Sequence, residues 1–312
     1  MSLRIIFMGT PDFAVPSLRI LVESGYELVA VITATDKYGG RGGKKLLQSA
    51  VKRYAVEQNI PVLQPKNLKA KAFVEELASY QADLQIVVAF RMLPEVVWNM
   101  PRLGTFNLHG SLLPKYRGAA PINWAVINGE EETGVTTFFI QHEIDTGNVI
   151  MQTTMPIGPE DTAGDVHDQM MELGAETVLK TVQAIETGPV DAAVQDHEQA
   201  TPAPKLKAEN TKIDFTQSAV TVHNFIRGLS PFPGAWTNYG EEKWKILRAT
   251  YLEESHELAH GTVVSDQKST FNIAVADGFI AVQELQVPGK RRMPLQDFLN
   301  GYRFPEEEMR FT

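Results

Sequence analysis

The chain contains no cysteine, and this absence excludes several kinds of chemistry. Without thiols there are no disulfides, no thiolate nucleophile and no cysteine-ligated zinc site. No stretch of about 18 or more apolar residues occurs, so no transmembrane helix is expected. The first apolar stretch ends at Gly9 and is too short for a signal peptide. We therefore expect a cytoplasmic protein without a membrane partner.

Positive charge is in deficit, since the formal net charge is −9. This balance argues against a protein whose whole surface binds nucleic acid, but it leaves room for a local basic patch. Cations are concentrated in three segments: Lys37, Arg41, Lys44 and Lys45; Lys205, Lys207 and Lys212; and Lys290, Arg291 and Arg292. Taken alone, each cluster fits a solvated surface as well as it fits a phosphate-binding site.

The order of strand and helix patterns predicts two domains. Residues 1–189 alternate apolar strand signals with helical periodicity, which is typical of an α/β domain with a mainly parallel sheet. Residues 190–207 have little apolar periodicity and contain two prolines, Pro202 and Pro204, which predicts a linker. Residues 208–312 combine a helix with closely spaced short strands, which predicts a small β-barrel or sandwich.

Two helix predictions within the first domain can be compared directly with the structure. The apolar spacing over residues 46–58 predicts one helix. A longer helix is predicted to begin after Thr162 and to run to about residue 186. Thr162 and Asp165 have the spacing of a capping box, with Asp in place of the usual Glu.

An amide and an imidazole stand two residues apart where a short apolar strand ends. Alternate residues of a strand point to the same face, so Asn107 and His109 can be aimed at one ligand atom. Gly110 and Pro114 then turn the chain. A carboxamide donor beside a titratable ring suits a reaction that builds negative charge on a carbonyl oxygen.

A carboxylate, Asp145, follows another strand of the same predicted sheet. Ligands of open α/β sheets bind in the crevice at the strand ends, so Asp145 and His109 are expected to meet there. The carboxylate would then fix the orientation of the histidine ring. An Asp-x-Gly triplet such as that of Asp145 is ordinarily only a turn. That interpretation is less favoured here because Asn107 and His109 flank strands of the same predicted sheet.

Three familiar motifs are incomplete. Gly9 stands alone where a dinucleotide-binding fold would have G-x-G-x-x-G, which argues against NAD or FAD. The glycine-rich segment 39–45 lacks the spacing and the Ser or Thr of a phosphate loop, although its cations fit a nucleic acid backbone. The triplet at 145–147 occurs once, whereas an aspartic protease needs two such loops.

Longer motifs resemble the folate-dependent formyltransferase family. Residues 106–125 read FNLHGSLLPKYRGAAPINWA, and residues 134–147 read GVTTFFIQHEIDTG. Residues 8–18, 39–45 and 212–219 are similar to the bacterial members that act on methionyl-tRNA. The resemblance extends over essentially the whole chain. It implies a Rossmann-like formyltransferase domain over 1–189, a linker over 190–207 and an OB-like β-barrel that binds tRNA over 208–312.

The resemblance also implies a reaction and its residues. A formyl group would pass from 10-formyltetrahydrofolate, a co-substrate, to the α-amino group of methionyl-initiator tRNA, without a metal. The catalytic residues of the family map onto Asn107, His109 and Asp145. The implied folate-binding residues are Ser111, Leu112, Leu113 and Pro114, with Val88, Ala89, Phe90, Arg91 and Met92 lining the pterin pocket. The basic residues expected to contact tRNA are Arg41, Lys44, Lys45, Lys205, Lys207 and Lys212, and a monomer is expected.

Other functions remain open at this point. A relative with the same core formylates an amino sugar nucleotide, and such an enzyme would not need the basic glycine loop. Enzymes that hydrolyse or oxidise formyltetrahydrofolate form a second alternative, although the oxidising kind has a long extra domain. A glycinamide ribonucleotide formyltransferase would lack the C-terminal hundred residues. A non-catalytic tRNA- or folate-binding module would not need Asn107, His109 and Asp145 together.

Overall fold

The structure is a computed structural model that describes residues 3–39, 43–302 and 309–312. Its strands are β1 (Arg4–Gly9), β2 (Glu27–Ile32), β3 (Lys37–Gly39), β4 (Lys45–Leu47), β5 (Val62–Leu63), β6 (Leu84–Val88), β7 (Thr105–His109), β8 (Arg117–Gly118), β9 (Glu132–Phe139), β10 (Val149–Pro156), β11 (Pro202–Ala203), β12 (Ala235–Tyr239), β13 (Glu242–Leu252), β14 (Val263–Val264), β15 (Asn272–Val275), β16 (Gly278–Gln286) and β17 (Met293–Pro294). Its α-helices are α1 (Val15–Glu23), α2 (Ala50–Glu57), α3 (Lys71–Ser79), α4 (Glu95–Trp98), α5 (Pro121–Ile127), α6 (Ala163–Thr187), α7 (Ala219–Gly228) and α8 (Leu295–Gly301).

The chain divides into two compact units, each built from more than one segment. The first unit comprises residues 1–118, 134–155 and 167–202. The second comprises residues 119–133, 156–166 and 203–312. The domains expected from the sequence are each one continuous range of residues, and their boundaries stay a prediction.

A seven-stranded sheet in the order β10-β9-β7-β6-β1-β2-β5 organises the first unit. Five neighbouring strands of this sheet, β5, β2, β1, β6 and β7, run parallel to one another. Strand β9 pairs antiparallel with β7. All five residues of β6 are buried, as expected for a central strand covered on both faces. The predicted α/β fold with a mainly parallel sheet is therefore confirmed.

A smaller antiparallel sheet organises the second unit, in the order β12-β13-β16-β15-β14 with β17 on β16. Its core contains Trp244, whose ring meets Phe298 and Phe311 at centroid distances of 5.4 and 5.6 Å. The helix predicted before these strands is α7, which Ser218 caps by accepting a hydrogen bond from the backbone of Thr221. The prediction of a small second domain rich in short strands is confirmed.

The helix predicted over residues 46–58 is wrong at its start. Leu46 and Leu47 belong to β4, which pairs antiparallel with β3. The helix α2 begins at Ala50 because the Ser49 hydroxyl accepts the backbone N–H of Lys52 at 3.0 Å. The capping box before α6 is confirmed, since Thr162 and Asp165 exchange side chain to backbone hydrogen bonds. In the described part of the chain, no helix combines the length and apolar character needed to cross a membrane.

The buried histidine of α7 predicts a measurable pH dependence of stability. Burial lowers the pKa of His223 below its usual 6.5, and Glu160, 3.9 Å away, opposes this shift only in part. The unfolded chain therefore binds a proton at His223 at a higher pH than the folded chain does. The stability associated with neutral His223 is fully present above the pKa that His223 has in the unfolded chain. It is lost as the pH falls below that value.

Denaturant unfolding of wild type and His223→Gln between about pH 8 and about pH 5 measures this effect. The wild type is expected to lose stability relative to the variant below about pH 6.5, by at most about 1.4 kcal/mol per pH unit. Parallel curves for the two proteins would show that His223 titrates in the same way in both states.

Candidate active site

Asn107 and His109 lie on β7, near the carboxyl end of the parallel strands. Val87 pairs with Asn107, and Val88 pairs with both Leu108 and Gly9 in the neighbouring strands. Asn107 is half-buried, and among the described residues its carboxamide has no hydrogen-bond partner. Its N–H groups are therefore available to a ligand at this edge of the sheet.

The ring of His109 is held at one nitrogen and faces a carboxylate at the other. His109 is 6% exposed, and its Nε2 lies 2.8 Å from the carbonyl oxygen of Tyr116. A carbonyl only accepts, so Nε2 must carry the proton of this hydrogen bond. Nδ1 lies 3.8 Å from Oδ2 of Asp145. In the neutral ring Nδ1 is thus the basic atom, and it faces the carboxylate.

Asp145 lies in the turn between β9 and β10, with a φ of +57°. The backbone N–H of Gly118 donates to its Oδ2 at 2.9 Å. Gly147 completes the turn, and a Cβ there would lie 1.6 Å from the carbonyl oxygen of Phe139. Only glycine allows this approach, so the turn is pressed against the end of β9. The expected meeting of His109 and Asp145 is confirmed.

The segment expected to contact folate is attached firmly to β9 and β10. Ser111 is buried, and its hydroxyl donates to the carbonyl of Lys115 at 2.7 Å. Thr136 donates to the carbonyl of Ser111 and accepts from the N–H of Leu113. Gln152 donates to the carbonyl of Leu113 at 2.8 Å. Leu113 is also buried, so Leu112 and Pro114 are the partly exposed side chains of this segment.

The second folate segment follows β6 directly. Val88 is the last, buried residue of the strand, and Ala89 adopts a φ of +48°. The guanidinium of Arg91 donates to the carbonyls of Pro65 and Lys66 and lies 5.6 Å from the centre of the Phe90 ring. Met92 is exposed. These contacts fix Arg91 to the protein and leave Met92 open to a ligand.

The basic glycine loop is described on both sides of residues 40–42. Arg41 lies outside the described residues, whereas Lys44 and Lys45 are exposed. At the base of the β3–β4 hairpin, Lys52 pairs with Asp36 at 2.6 Å. Hydrogen bonds from Lys52 and then from Gln64 lower the pKa of Asp36 below its usual value. The hairpin therefore presents its lysines from an anchored base.

One lysine of the second cluster, Lys212, lies beside an aromatic ring in the second unit. Lys205, Lys207 and Lys212 are exposed, and Lys212 lies 5.7 Å from the centre of the Trp236 ring. Lys243 lies over the same ring at 3.7 Å. Lys245 faces Trp236 across the β12–β13 pair. The sequence did not predict that Lys243 and Lys245 lie near Trp236 together with Lys212. The alternating pattern of a strand does not show which other segment its residues pack against.

Two further residues near His109 were also missed. Tyr116 and Gly118 contact His109 and Asp145 through backbone atoms, which no side-chain pattern reveals. In residues 3–39, 43–302 and 309–312, no three His, Asp or Glu side chains are grouped so that they could hold a metal ion.

Two family models match this chain. The formyl transferase model matches residues 3–182, and the model of the formyl transferase C-terminal domain matches residues 205–303. The chain is 55% identical to a methionyl-tRNA formyltransferase of Bacteroides thetaiotaomicron, over 98% of this chain and 97% of the relative. It is 54% identical to the enzyme of that name from Parabacteroides distasonis, over 97% and 96% of the two chains.

Solved structures with low sequence identity share the fold. An N-formyltransferase from Helicobacter canadensis, in complex with folinic acid and dTDP-3-aminofucose, is 24% identical with a TM-score of 0.67, covering 90% of this chain and 98% of that one. HypX from Aquifex aeolicus, in complex with tetrahydrofolic acid, is 21% identical with a TM-score of 0.63, covering 99% of this chain and 51% of that one. The resemblance stated from the sequence motifs is confirmed, and the chain belongs to the formyl transferase family.

Proposed function

We propose that this chain transfers the formyl group of 10-formyltetrahydrofolate to the α-amino group of methionyl-initiator tRNA. The observation that carries the proposal is the identity of 55% with a methionyl-tRNA formyltransferase along nearly the full length of both chains. The N-formyltransferase from Helicobacter canadensis, in complex with folinic acid and dTDP-3-aminofucose, is only 24% identical. We expect the enzyme to act in the cytoplasm as a monomer, in translation initiation.

The acceptor amine requires little activation. A free α-amino group has a pKa of roughly 7.7–8.0, and the amine of an aminoacyl ester titrates lower, so a useful neutral fraction exists near neutral pH. Attack on the formyl carbon forms a tetrahedral intermediate with a negative oxygen. The carboxamide of Asn107, which has no hydrogen-bond partner in the described part of the chain, donates a hydrogen bond to that oxygen as the charge develops.

His109 and Asp145 manage the protons of the reaction. With Nε2–H committed to Tyr116, the ring gains or loses its second proton at Nδ1, beside Asp145. The cationic ring is stabilised by that carboxylate and donates from Nδ1 to the reacting group. The amine loses a proton and N10 of the folate gains one as the C–N bond breaks, so formyl transfer leaves the proton count unchanged.

In this proposal 10-formyltetrahydrofolate binds at the carboxyl end of β6 and β7. Ser111, Leu112, Leu113 and Pro114 supply one wall, and Val88, Ala89, Phe90, Arg91 and Met92 supply the pterin pocket. The hydroxyl of Ser111 and the guanidinium of Arg91 are bonded within the protein, so they shape the backbone rather than reach the folate. The partly or fully exposed side chains left to contact it are those of Leu112, Pro114, Ala89, Phe90 and Met92.

Lysines of both units bind the tRNA backbone in this proposal. Lys44 and Lys45, with Arg41, grip one part of the acceptor, and Lys205, Lys207 and Lys212 another. Lys243 joins this second group because its ammonium shares the Trp236 ring with Lys212. Phosphate contacts of this kind release counterions, so binding must weaken steeply as salt rises.

Replacing Lys207 and Lys212 by alanine tests the lysine assignment. The double variant is expected to bind methionyl-tRNA more weakly, and the slope of log K against log salt should decrease by about 1 for each lysine. Lys71→Ala is the matched control, since Lys71 is an exposed lysine of α3 paired with Glu75. An unchanged slope in the double variant would remove these lysines from the interface.

An acceptor competition tests the proposed function itself. The purified chain receives 10-formyltetrahydrofolate and equal concentrations of methionyl-tRNA, glycinamide ribonucleotide and an amino sugar nucleotide. The expected result is formylation of methionyl-tRNA with the highest kcat/KM. Preference for the sugar nucleotide would replace the proposal with the alternative acceptor.

A further inference from the structure

A single buried amide contacts both segments that hold the His109 ring. Gln195 is 5% exposed and lies in the stretch after α6, where Ala193 pairs with Val149. Its Nε2 donates to the carbonyl oxygens of Asp145 at 3.0 Å and Gly147 at 2.7 Å. Its Oε1 accepts from Nε and Nη2 of Arg117 at 3.1 and 2.6 Å.

These partners allow only one orientation of the Gln195 amide. The two carbonyls accept and cannot donate, and the guanidinium donates and cannot accept. Both N–H groups and the oxygen of the amide are therefore used. A buried side chain with every polar group bonded on both sides fixes the distance between the two segments it joins.

The two segments are those that contact His109 and Asp145. Arg117 stands between Tyr116, whose carbonyl accepts from His109 Nε2, and Gly118, whose N–H donates to Asp145. On the other side, Gln195 holds the backbone of Asp145 itself. The amide of Gln195 is thus bonded to Asp145, which faces Nδ1 of His109. It is also bonded to Arg117, the neighbour of Tyr116, which contacts Nε2 of His109.

The conformation of Asp145 shows why such a connection matters. Its φ of +57° lies in the left-handed region, which a non-glycine residue keeps only where its surroundings enforce it. Gly147 fixes one side of the turn by its close approach to Phe139. Gln195 bonds the carbonyls of both Asp145 and Gly147 and so restrains the turn from the other side.

We propose that Gln195 is a positioning residue that sets the Asp145–His109 geometry for catalysis. The inference rests on the proposed function, since it assigns a role within the same site. Gln195 is buried and acts on the turn of Asp145, while Arg117 fixes the orientation of its amide. Its loss should therefore lower kcat and leave the KM values for both substrates little changed.

Gln195→Met keeps the size of the side chain and removes its hydrogen bonds. We expect kcat to fall by about 10- to 100-fold, as small displacements of reacting groups do in other enzymes. Gln195→Glu keeps the contact with Arg117 but turns a carboxylate oxygen toward two carbonyls, so it should lose at least as much. It serves as the second variant if Gln195→Met does not fold, and wild-type kcat in either folded variant would overturn the proposal.

A double-mutant cycle with Asp145→Ala separates positioning from general destabilisation. If Gln195 acts through Asp145, Gln195→Met should change kcat by less than about twofold in the Asp145→Ala background. An equal loss in both backgrounds would overturn the proposal. The control is Gln199→Met, because Gln199 is exposed and its side chain donates to Asp196.

The readout keeps this test apart from that of the proposed function. The kcat of each variant is divided by the kcat of wild type, measured with whichever acceptor, or water, takes the formyl group. A wild-type chain that does not formylate methionyl-tRNA contradicts the proposed function. A ratio near one in the Asp145 background with full loss in wild type supports the role of Gln195 in either case.

Discussion

Replacing His109 by alanine is expected to lower kcat for formyl transfer by about 10²- to 10⁴-fold, the usual contribution of a positioned acid–base group. The ring is buried, donates Nε2–H to Tyr116 and turns Nδ1 toward Asp145. Without it, no group carries a proton at the Nδ1 position. The KM values should change little, because the ring acts mainly as the reaction proceeds.

His167→Ala is the control for this variant. His167 is a partly exposed histidine of α6 that pairs with Asp168. It should keep nearly wild-type kcat. Added imidazole should restore part of the activity of His109→Ala and none to any other variant. A kcat of His109→Ala close to wild type would refute the assignment of His109 as catalytic.

Replacing Asn107 by aspartate is the second change with a large expected effect. Losing an oxyanion donor typically costs about 10² to 10³ in kcat, and a carboxylate would also repel the developing negative charge. Asn107→Asp should therefore be slower than Asn107→Ala, although its shape is closer to wild type. Asn107 is half-buried, so both variants are expected to fold.

Steady-state kinetics of the two Asn107 variants check this order. Asn99→Asp is the matched control, since Asn99 is exposed after α4 and carries the same change of charge. Thermal unfolding shows that each variant is folded. If Asn107→Asp were as fast as wild type, the carboxamide would have no part in stabilising the oxyanion.

The central part of the site could be predicted because its signals are local. Asn107 and His109 are two residues apart on one strand, and strand geometry alone gives them a common face. Asp145 could be added because the ends of neighbouring strands meet at one edge of an α/β sheet. The main strands of the first unit were found in the same way, from continuous apolar runs such as that of β6.

The short elements could not be predicted from periodicity. The hairpin of β3 and β4 has three residues in each strand, too few to show an alternating pattern. Leu46 and Leu47 therefore looked like the first turn of α2, whose true start is set by the Ser49 cap. Tertiary pairing overrode the local helical spacing there.

The supports of the site are also invisible in the sequence. Gln195 lies 50 residues from Asp145 and 78 from Arg117, within a stretch predicted to be a linker from its composition. In the structure that stretch buries Gln195 and pairs Ala193 with Val149. A hydrogen bond between distant backbone atoms and one amide has no sequence pattern, so only the folded chain reveals it.

The fate of the formyl group in a single turnover tests the central claim most directly. The chain is mixed in excess with initiator methionyl-tRNA and 10-formyltetrahydrofolate labelled in the formyl carbon. The account predicts one labelled formyl group on the α-amino nitrogen of each methionine and one tetrahydrofolate released, with no label on uncharged tRNA. Release of labelled formate without formylmethionine, or label on uncharged tRNA, would contradict it.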